Sequence, residues 1–176
     1  MTVYFIRHGQ TFLNIEDKVC GLVDSRLTEL GHQQAIETGK KIKESGIKFD
    51  VILYSPLSRA KDTAKHISEI CGVPMIEEPR LIEQAFGKYE ETPKSCEAFM
   101  QAKKQFVSDY DGGESMFRVA QRIYNLLDDL KKDNKTYLLV AHNGISRVVH
   151  SYFNSMTNDE YAKFQIKNCE IREYHF

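Results

Sequence analysis

Residues 3–11 read VYFIRHGQT, a short apolar run that ends in two basic side chains. Val3 to Ile6 is predicted to be a buried strand, because a continuous apolar run of this length is typical of a strand covered on both faces. Arg7 and His8 follow it directly. Since charged side chains are costly to bury, this pair is expected at the end of the strand, where the chain reaches the edge of the sheet.

Short apolar runs alternate with amphipathic segments along the rest of the chain. Further strands are predicted at 51–54 and 136–141, and the tail from Ile166 to Phe176 is predicted to form an edge strand. Helices are predicted over residues 29–45, 56–71, 99–106, 116–130 and 144–153. This order predicts an α/β fold, a three-layer sandwich with a mostly parallel central sheet and helices on both faces. No linker or repeat interrupts the sequence, so a single domain over residues 1–176 is expected.

Polar residues with a preference for helix starts precede three of the predicted helices. Thr28 and Ser115 stand immediately before amphipathic segments. Ser55 is predicted to cap a helix that has Pro56 at its first position. The first turn of that helix is therefore expected to offer free backbone N–H groups to an anion.

Three predicted strands end in cationic or titratable side chains. Arg7 and His8 follow the first strand, Arg59 lies in the first turn of the helix after the second strand, and His142 follows the third. In parallel α/β sheets the carboxyl ends of the strands meet at one edge, where ligands bind. These side chains are therefore expected to converge, and crowded positive charge of this kind needs an anion to neutralise it.

The overall composition argues against several classes of partner. Hydrophobic residues make up 41% of the chain and charged residues 28%, as in folded globular proteins. The formal net charge of −1 gives no general attraction to nucleic acid or to an anionic membrane. The N-terminal apolar run is too short for a membrane helix and lacks the basic segment of a signal peptide. The four cysteines have no metal-site spacing, so reduced thiols and a cytoplasmic location are expected.

A phosphoryl group is the anion that suits the predicted cluster. It carries close to two negative charges at neutral pH, and its oxygens pair with the forked guanidinium of arginine. A neutral imidazole can attack phosphorus and form a phosphohistidine, and a carboxylic acid can protonate the leaving alkoxide. Glu83, which follows the apolar pair Leu81 and Ile82, is the candidate acid.

Six segments of the chain resemble signature segments of the histidine phosphatase superfamily, also called the phosphoglycerate mutase-like fold. They are RHGQT at 7–11, DSRLTELGHQQA at 24–35, SPLSRAKDTA at 55–64, LIEQAFGKYE at 81–90, GGES at 112–115 and AHNG at 141–144. Their order matches that of the family, and the resemblance covers nearly the whole chain. It is closest to the short phosphatase branch of the superfamily.

The resemblance implies roles for individual residues. His8 would be the phosphorylated nucleophile and Glu83 the proton donor, while Arg7, Arg59 and His142 would hold the transferring phosphoryl group. Residues that would contact phosphate or line the site are Gln10, Thr11, Asn14, Cys20, Gly21, Asn143 and Gly144. No metal or other cofactor is implied, because the two guanidiniums supply the charge compensation that magnesium supplies elsewhere.

The activity implied is that of a metal-independent phosphomonoesterase whose substrate is a small phosphorylated metabolite. A cofactor-dependent phosphoglycerate mutase is one alternative, although such enzymes carry Glu-Arg-His-Tyr-Gly at the acid, where this chain has Gln-Ala-Phe-Gly after Glu83. A catalytically silent protein that binds a phosphorylated ligand is a second alternative. A metal site formed by His8, His142 and Glu83 ranks last, because the flanking arginines would repel a divalent cation.

The segment from about residue 90 to 112 is the least patterned part of the chain, and it is expected to cover the pocket. It contains Lys94, Lys103 and Lys104, and Lys88 precedes it. A basic rim around the pocket is one interpretation of these lysines. A solvated helix face is the preferred interpretation.

Overall fold

A five-stranded sheet lies at the centre of the computed structural model, which describes residues 1–176. The strands are β1 (Thr2–Arg7), β2 (Val51–Tyr54), β3 (Met75–Glu77), β4 (Tyr137–Ala141) and β5 (Ile171–His175). Their spatial order is β3-β2-β4-β1-β5, with β5 antiparallel to β1 and every other pair parallel. The predicted mostly parallel sheet, with the C-terminal tail as an edge strand, is confirmed.

Helices cover both faces of this sheet. They are α1 (Phe12–Ile15), α2 (Glu29–Ser45), α3 (Ser58–Cys71), α4 (Glu97–Ala102), α5 (Met116–Leu130), α6 (Asn143–Phe153) and α7 (Asn158–Lys163). One hydrophobic cluster joins α2 and α3 to the sheet, and another joins α5 and α6 to the opposite face. The predicted three-layer α/β sandwich is therefore confirmed. None of these helices has both the length and the apolar character that a membrane crossing requires.

Alternating side chains of the strands fill the two hydrophobic layers. In β4, Leu139 and Ala141 belong to the cluster under α5 and α6, whereas Leu138 and Val140 belong to the cluster under α2 and α3. All the residues of β4 are buried, as expected for a central strand that is covered on both faces. This double burial explains why the sequence of β4 is apolar at every position.

Two of the three predicted helix caps are present. The side chains of Thr28 and Ser115 each accept a hydrogen bond from a backbone N–H in the first turn of α2 and α5. The prediction for Ser55 is wrong, because α3 begins only at Ser58 and has no side-chain cap at its start. Ser55 instead remains part of the sheet, since its N–H donates to the carbonyl of Val140 (3.1 Å) and extends the pairing of β2 with β4.

The predicted helix over 99–106 is shorter in the structure and begins earlier. It is α4, which ends at Ala102, and Phe106 packs outside it against Tyr161, with ring centroids 5.6 Å apart. Phe99 of α4 packs against Phe86 at 5.4 Å. These two rings belong to a small hydrophobic cluster, separate from the two main layers, that holds α4 against the loops around residue 86.

The loop after β1 crosses the start of α2 at a contact that leaves no room for a side chain. A Cβ atom at Gly9 would collide with the carbonyl of Gly31, and one at Gly31 would collide with the carbonyl of Gln10. The same Gln10 carbonyl accepts a hydrogen bond from the N–H of Thr28 (2.9 Å). Backbone contacts therefore fix the loop that follows His8 against the first turn of α2.

Gly31→Ala is expected to lower the free energy of unfolding by about 1–3 kcal/mol, since overpacking against fixed backbone costs that much. This loss should occur even though alanine is the better helix former. Gly39→Ala in the same helix is the matched control, because its methyl group would meet chiefly the tip of the Ile70 side chain, which can rotate. Urea unfolding followed by far-UV circular dichroism measures both variants. A Gly31→Ala protein as stable as the control would contradict the tight crossing.

Candidate active site

A cavity of about 340 Å³ lies at the carboxyl ends of β1 and β4. Its wall includes Arg7, His8 and Glu83. Arg7 lies opposite Ala141 in the register of β1 and β4, so the residues that follow them, His8 and His142, are neighbours. The centroids of these two imidazole rings are 5.2 Å apart.

His8 is buried and held in one tautomer. Its backbone N–H donates to the carbonyl of Ala141 (2.9 Å), which extends the β1–β4 pairing by one residue. Ring Nδ1 lies 2.7 Å from the carbonyl oxygen of Gly9, which can only accept, so Nδ1 carries the proton. Burial, and then the charges of Arg59 and Arg7, lower the pKa of His8 well below its ordinary value of 6.5. The ring is therefore neutral at pH 7, and its Nε2 lone pair has no partner within the chain.

Arg7 presents an unpaired edge of its guanidinium group. Its Nη1 donates to the carbonyl of Ile166 (2.8 Å). Its Nε is buried without a hydrogen-bond partner, and Nη2 makes no hydrogen bond within the chain. Nε and Nη2 form an edge with which arginine can bind two oxygens of one phosphate. Because burial lowers the pKa of Arg7, an anion at this edge would offset the cost of the buried charge.

Arg59 and His142 lie behind the cavity rather than in its wall. Both are fully buried, and Arg59 Nε donates to His142 Nδ1 (3.2 Å). Because Nδ1 accepts, the proton of His142 lies on Nε2, which is 2.6 Å from the hydroxyl oxygen of Ser55. Burial, followed by the charge of Arg59, lowers the pKa of His142 well below 6.5. His142 is thus a neutral ring with both nitrogens engaged by the protein, and it connects Arg59 to the end of β2.

The loop before α2 anchors Arg59 and occupies the start of α3. Nη1 and Nη2 of Arg59 donate to the carbonyls of Val23 (2.8 Å) and Gly21 (2.7 Å), which leaves one further N–H on each nitrogen. One carboxylate oxygen of Asp24 accepts from the backbone N–H (2.9 Å) and the hydroxyl (2.8 Å) of Ser58. Contrary to the prediction, the start of α3 therefore binds the protein's own carboxylate, not a free anion.

Glu83 is the only carboxyl group in the cavity wall, and it is 4% exposed. Its oxygens accept hydrogen bonds from the backbone N–H groups of Gln84 (2.9 Å) and of Gly144 (3.0 Å), at the start of α6. Burial raises the pKa of Glu83 above 4.5, against the lowering effect of these hydrogen bonds and of nearby arginines. Glu83 therefore keeps its proton to a higher pH than an exposed carboxyl does, as a general acid requires.

Four of the seven further residues expected to contact phosphate or line the site are in the cavity wall: Asn14, Cys20, Asn143 and Gly144. The other three lie outside it for identifiable reasons. Gln10 accepts a hydrogen bond from the hydroxyl of Thr28 (3.0 Å) through its side-chain oxygen, and Thr11 caps α1. Gly21 contributes its carbonyl to Arg59. These three residues support the loops of the site instead of its surface.

The segment between α7 and β5 supports the end of β1, which the sequence did not reveal. The side-chain amide of Asn168 donates to the carbonyl of His8 (2.8 Å), and the N–H of Cys169 donates to the carbonyl of Arg7 (2.9 Å). The carbonyl of Ile166 accepts from the Arg7 guanidinium. These contacts join residues about 160 positions apart, and no local sequence pattern signals them.

Arg147 is a second arginine in the cavity wall, beside Arg7, and the sequence analysis missed it. It lies one helical turn after Asn143, so both residues occupy the same face of α6. That spacing is the sequence signal that could have identified it, because Asn143 was already expected to line the site. The Nε of Arg147 donates to the carbonyl of Phe164 (2.8 Å).

Two of the lysines interpreted as a solvated face also belong to the cavity wall. Lys94 and Lys103 line the cavity, so that interpretation is wrong for them. It holds for the other two, because Lys88 forms an exposed ion pair with Asp111 (2.6 Å) and Lys104 is exposed. The hydrophobic contacts of α4 explain the difference, since they hold this segment over the site.

The charges of the cavity wall favour an anionic ligand. Four cationic side chains and a single carboxyl line it, and the further guanidinium of Arg59 lies behind it. The chain contains no group of three or more His, Cys, Asp or Glu side chains arranged to hold a metal ion. A metal site formed by His8, His142 and Glu83 would need a free nitrogen on His142, but both of its ring nitrogens already have partners within the protein.

Comparison with known proteins supports the family resemblance. Residues 3–176 match the model of the histidine phosphatase superfamily (branch 1). A relative from Erwinia tasmaniensis named "Probable phosphoglycerate mutase GpmB" is 31% identical over 180 residues, covering 97% of this chain and 83% of the relative. A relative of the same name from Yersinia pestis is 32% identical over 181 residues, with the same coverage of 97% and 83%.

Solved structures of similar proteins share the fold. A phosphoserine phosphatase from Entamoeba histolytica, in complex with 3-phosphoglyceric acid, is 30% identical and covers 99% of this chain and 90% of its own, with a TM-score of 0.82. A mycobacterial glucosyl-3-phosphoglycerate phosphatase in complex with VO3 is 23% identical over 98% of this chain and 90% of its own, with a TM-score of 0.85. The chain therefore belongs to branch 1 of the histidine phosphatase superfamily, and it is a phosphatase.

Proposed function

We propose that this phosphatase hydrolyses the phosphomonoester of a small phosphorylated metabolite, without a metal ion, through a phosphohistidine on His8. The main support is the state of three side chains in one cavity. His8 is neutral with an unpaired Nε2, Arg7 has an unpaired guanidinium edge, and the pKa of Glu83 is raised. Together they provide a nucleophile, a phosphate-binding group and a proton.

Arginine side chains bind the phosphoryl group of the substrate. The Nε and Nη2 edge of Arg7 binds two phosphoryl oxygens, which gives the buried Nε its missing partner. Arg59 contributes positive charge from behind the cavity. Carbonyl contacts keep it in place, and its one ion-pair partner is the half-exposed carboxylate of Asp24, at 3.9 Å. This charge stabilises the transferring phosphoryl group in the way that magnesium does in other phosphoryl-transfer enzymes, so no metal is required.

The first chemical step transfers the phosphoryl group to His8. Nε2 of His8 attacks phosphorus, and the bond between phosphorus and the ester oxygen breaks. The proton of Glu83 passes to that oxygen, so the product leaves as a neutral alcohol. The N–H groups of Gln84 and Gly144 stabilise the carboxylate that remains. The carbonyl of Gly9 holds the Nδ1 proton, which keeps the phosphorylated ring in one orientation.

The second step returns His8 to its starting state. The Glu83 carboxylate accepts a proton from water while the water oxygen attacks phosphorus, and the bond between phosphorus and Nε2 breaks. Inorganic phosphate leaves, Glu83 is protonated again and His8 is neutral. One carboxyl group thus acts as acid and then as base, in agreement with its position as the only carboxyl of the cavity.

The size of the cavity and the names of the relatives both support a small substrate. A volume of about 340 Å³ falls at the lower end of the range for small-molecule pockets. Phosphoserine and glucosyl-3-phosphoglycerate, the molecules named for two similar proteins, are small phosphate esters. We place the enzyme in the cytoplasm, since all its cysteines are free thiols.

Mutase activity is the second candidate, because the relatives from Erwinia and Yersinia carry that name. A mutase must return the phosphoryl group to a second hydroxyl before water attacks it. Glu83 is followed here by Gln84, Ala85 and Phe86 and not by the Arg-His-Tyr of the mutases. Hydrolysis is therefore the proposed outcome.

His8→Ala is expected to reduce turnover of p-nitrophenyl phosphate by about 10⁴-fold or more, as removal of a nucleophile does in other enzymes. It should also abolish an acid-labile phosphoenzyme, measured by rapid quench with ³²P-labelled substrate. His32→Ala is the matched control, because His32 bonds to His66 (2.9 Å) between α2 and α3 and does not line the cavity. A labelled phosphoenzyme that persists in His8→Ala would assign the nucleophile to another residue.

Glu83→Gln is expected to slow hydrolysis of an alkyl phosphate by about 10²–10⁴-fold, the usual contribution of a general acid. The phosphorylation step with p-nitrophenyl phosphate should slow far less, because nitrophenolate leaves without a proton. In the native enzyme, kcat for the alkyl ester should fall as pH rises through the pKa of Glu83, which burial raises above 4.5. The rate of the initial burst of nitrophenolate, which reports the phosphorylation step, should not fall over the same pH range. Exposed Glu69→Gln is the control. Equal slowing with both esters would remove Glu83 from the role of acid.

Turnover of p-nitrophenyl phosphate is expected to remain unchanged after EDTA treatment, because the guanidiniums of Arg7 and Arg59 supply the charge compensation. Release of inorganic phosphate from 3-phosphoglycerate should exceed its isomerisation, with or without added 2,3-bisphosphoglycerate. Loss of activity in EDTA that is restored by a divalent metal would disprove metal independence. Isomerisation faster than phosphate release would favour the mutase.

A further inference from the structure

Two cations of the cavity wall have no role in the proposed chemistry and no counter-ion. Arg147 and Lys103 both line the cavity that contains His8. Neither forms an ion pair with a carboxylate, whereas Lys94, the other lysine of the wall, pairs with Asp17 at 3.2 Å. The single carboxyl of the cavity, Glu83, carries a proton in the resting state of the proposed cycle. One side of the cavity therefore has excess positive charge beyond the phosphoryl-binding arginines.

Arg147 is held in place by one contact and leaves the end of its guanidinium free. Its Nε donates to the carbonyl of Phe164 (2.8 Å), and neither Nη1 nor Nη2 makes a hydrogen bond within the chain. Burial lowers the pKa of Arg147, against the raising effect of Tyr161, Glu83 and Tyr110. A guanidinium that is fixed at Nε and open at both terminal nitrogens can bind an anion with two parallel hydrogen bonds.

Lys103 lines the same cavity from the end of α4. It follows the last residue of α4, is half-buried, and has its Nζ 5.7 Å from the ring centroid of Phe99. Burial, and then the charges of Arg147 and Lys94, lower the pKa of Lys103 to about 8. If Lys103 served only to keep the surface soluble, its side chain would extend into water, as that of the adjacent Lys104 does. Lys103 instead lies near other cations, where an anion would relieve the repulsion.

We infer that Arg147 and Lys103 form a second anion subsite, which selects phosphomonoesters that carry an additional negatively charged group, a carboxylate or a second phosphate. The assignment rests on the proposed phosphatase chemistry and specifies its substrate class. The phosphoryl group to be transferred lies at Arg7 and His8, and the second anion lies between α4 and α6. The cavity of about 340 Å³ accommodates a substrate of a few carbon atoms between the two subsites.

Matched substrates test this selectivity in the intact enzyme. 3-Phosphoglycerate and glycerol 3-phosphate have the same three-carbon skeleton, and they differ by a carboxylate in place of a hydroxymethyl group. Propane-1,3-diol bisphosphate tests a second phosphate on the same skeleton. The native enzyme should prefer one of the doubly anionic compounds over glycerol 3-phosphate by roughly tenfold or more in kcat/KM, and the preferred compound identifies the second anion. Equal kcat/KM for all three would overturn the inference.

Lys103→Met and Arg147→Met should each lower kcat/KM for the preferred doubly anionic substrate by roughly tenfold, mainly through KM. The kcat/KM of Lys103→Met for glycerol 3-phosphate should change by less than about twofold, as for substitutions outside the reacting groups. Arg147→Met also removes a charge that lowers the pKa of Glu83, so its effect is judged by the ratio of kcat/KM between the two substrates. Lys104→Met, the same charge change at the adjacent exposed position, is the control. Arg147→Lys keeps the charge and should retain part of the preference. Equal losses with both kinds of substrate would assign these residues a structural role instead.

Binding to the His8→Ala variant separates this inference from the proposed function. Calorimetric titration with 3-phosphoglycerate, propane-1,3-diol bisphosphate and glycerol 3-phosphate needs no turnover. His8→Ala should bind one doubly anionic compound more tightly than glycerol 3-phosphate, and the double variant His8→Ala/Lys103→Met should lose this preference. That result would support the second subsite even if phosphatase chemistry failed. If the native enzyme turns over p-nitrophenyl phosphate but His8→Ala binds all three compounds equally, the second subsite is disproved and the proposed phosphatase activity stands.

Discussion

The parallel register between β1 and β4 is the constraint on which the site depends. Arg7 lies opposite Ala141, so the next residues of the two strands place the rings of His8 and His142 5.2 Å apart. A slip of one residue would direct every side chain of β1 to the other face of the sheet. Both faces are buried under helices, which makes such a slip costly and fixes His8, the proposed nucleophile, relative to His142.

Burial then sets the protonation state of each reacting group. It lowers the pKa of His8 and His142 and raises that of Glu83, so all three favour their neutral forms. A neutral imidazole is a nucleophile and a neutral carboxyl is an acid, and these are the forms that the first step of the proposed mechanism consumes. The same burial leaves Arg7 charged and partly unpaired. The site is thus a cluster of cations whose charge favours an anionic ligand.

The architecture and the proposed reacting groups could be predicted from local patterns, whereas the contacts that support these groups could not. The apolar run of β4 and the cap at Thr28 are local features, and the rule that parallel strands meet at one edge places His8 near His142. By contrast, Ser55 looks like a helix cap in sequence, and only the fold shows that its hydroxyl serves His142. Likewise, the contact of Asn168 with the His8 carbonyl joins distant parts of the chain. Tertiary contacts of this kind override local propensity and leave no periodic signal.

The distribution of charge separates the reaction from the choice of substrate. The groups that we propose perform the chemistry lie at strand ends or, like Glu83, bond to the start of α6. The unpaired cations Lys103 and Arg147 line the cavity from the end of α4 and from α6, and α4 packs in a small hydrophobic cluster separate from the two main layers. Residues of α4 can therefore change with little effect on the sheet. A chain with a net charge of −1 can still present a strongly cationic pocket, because the charges that matter to its ligand are local.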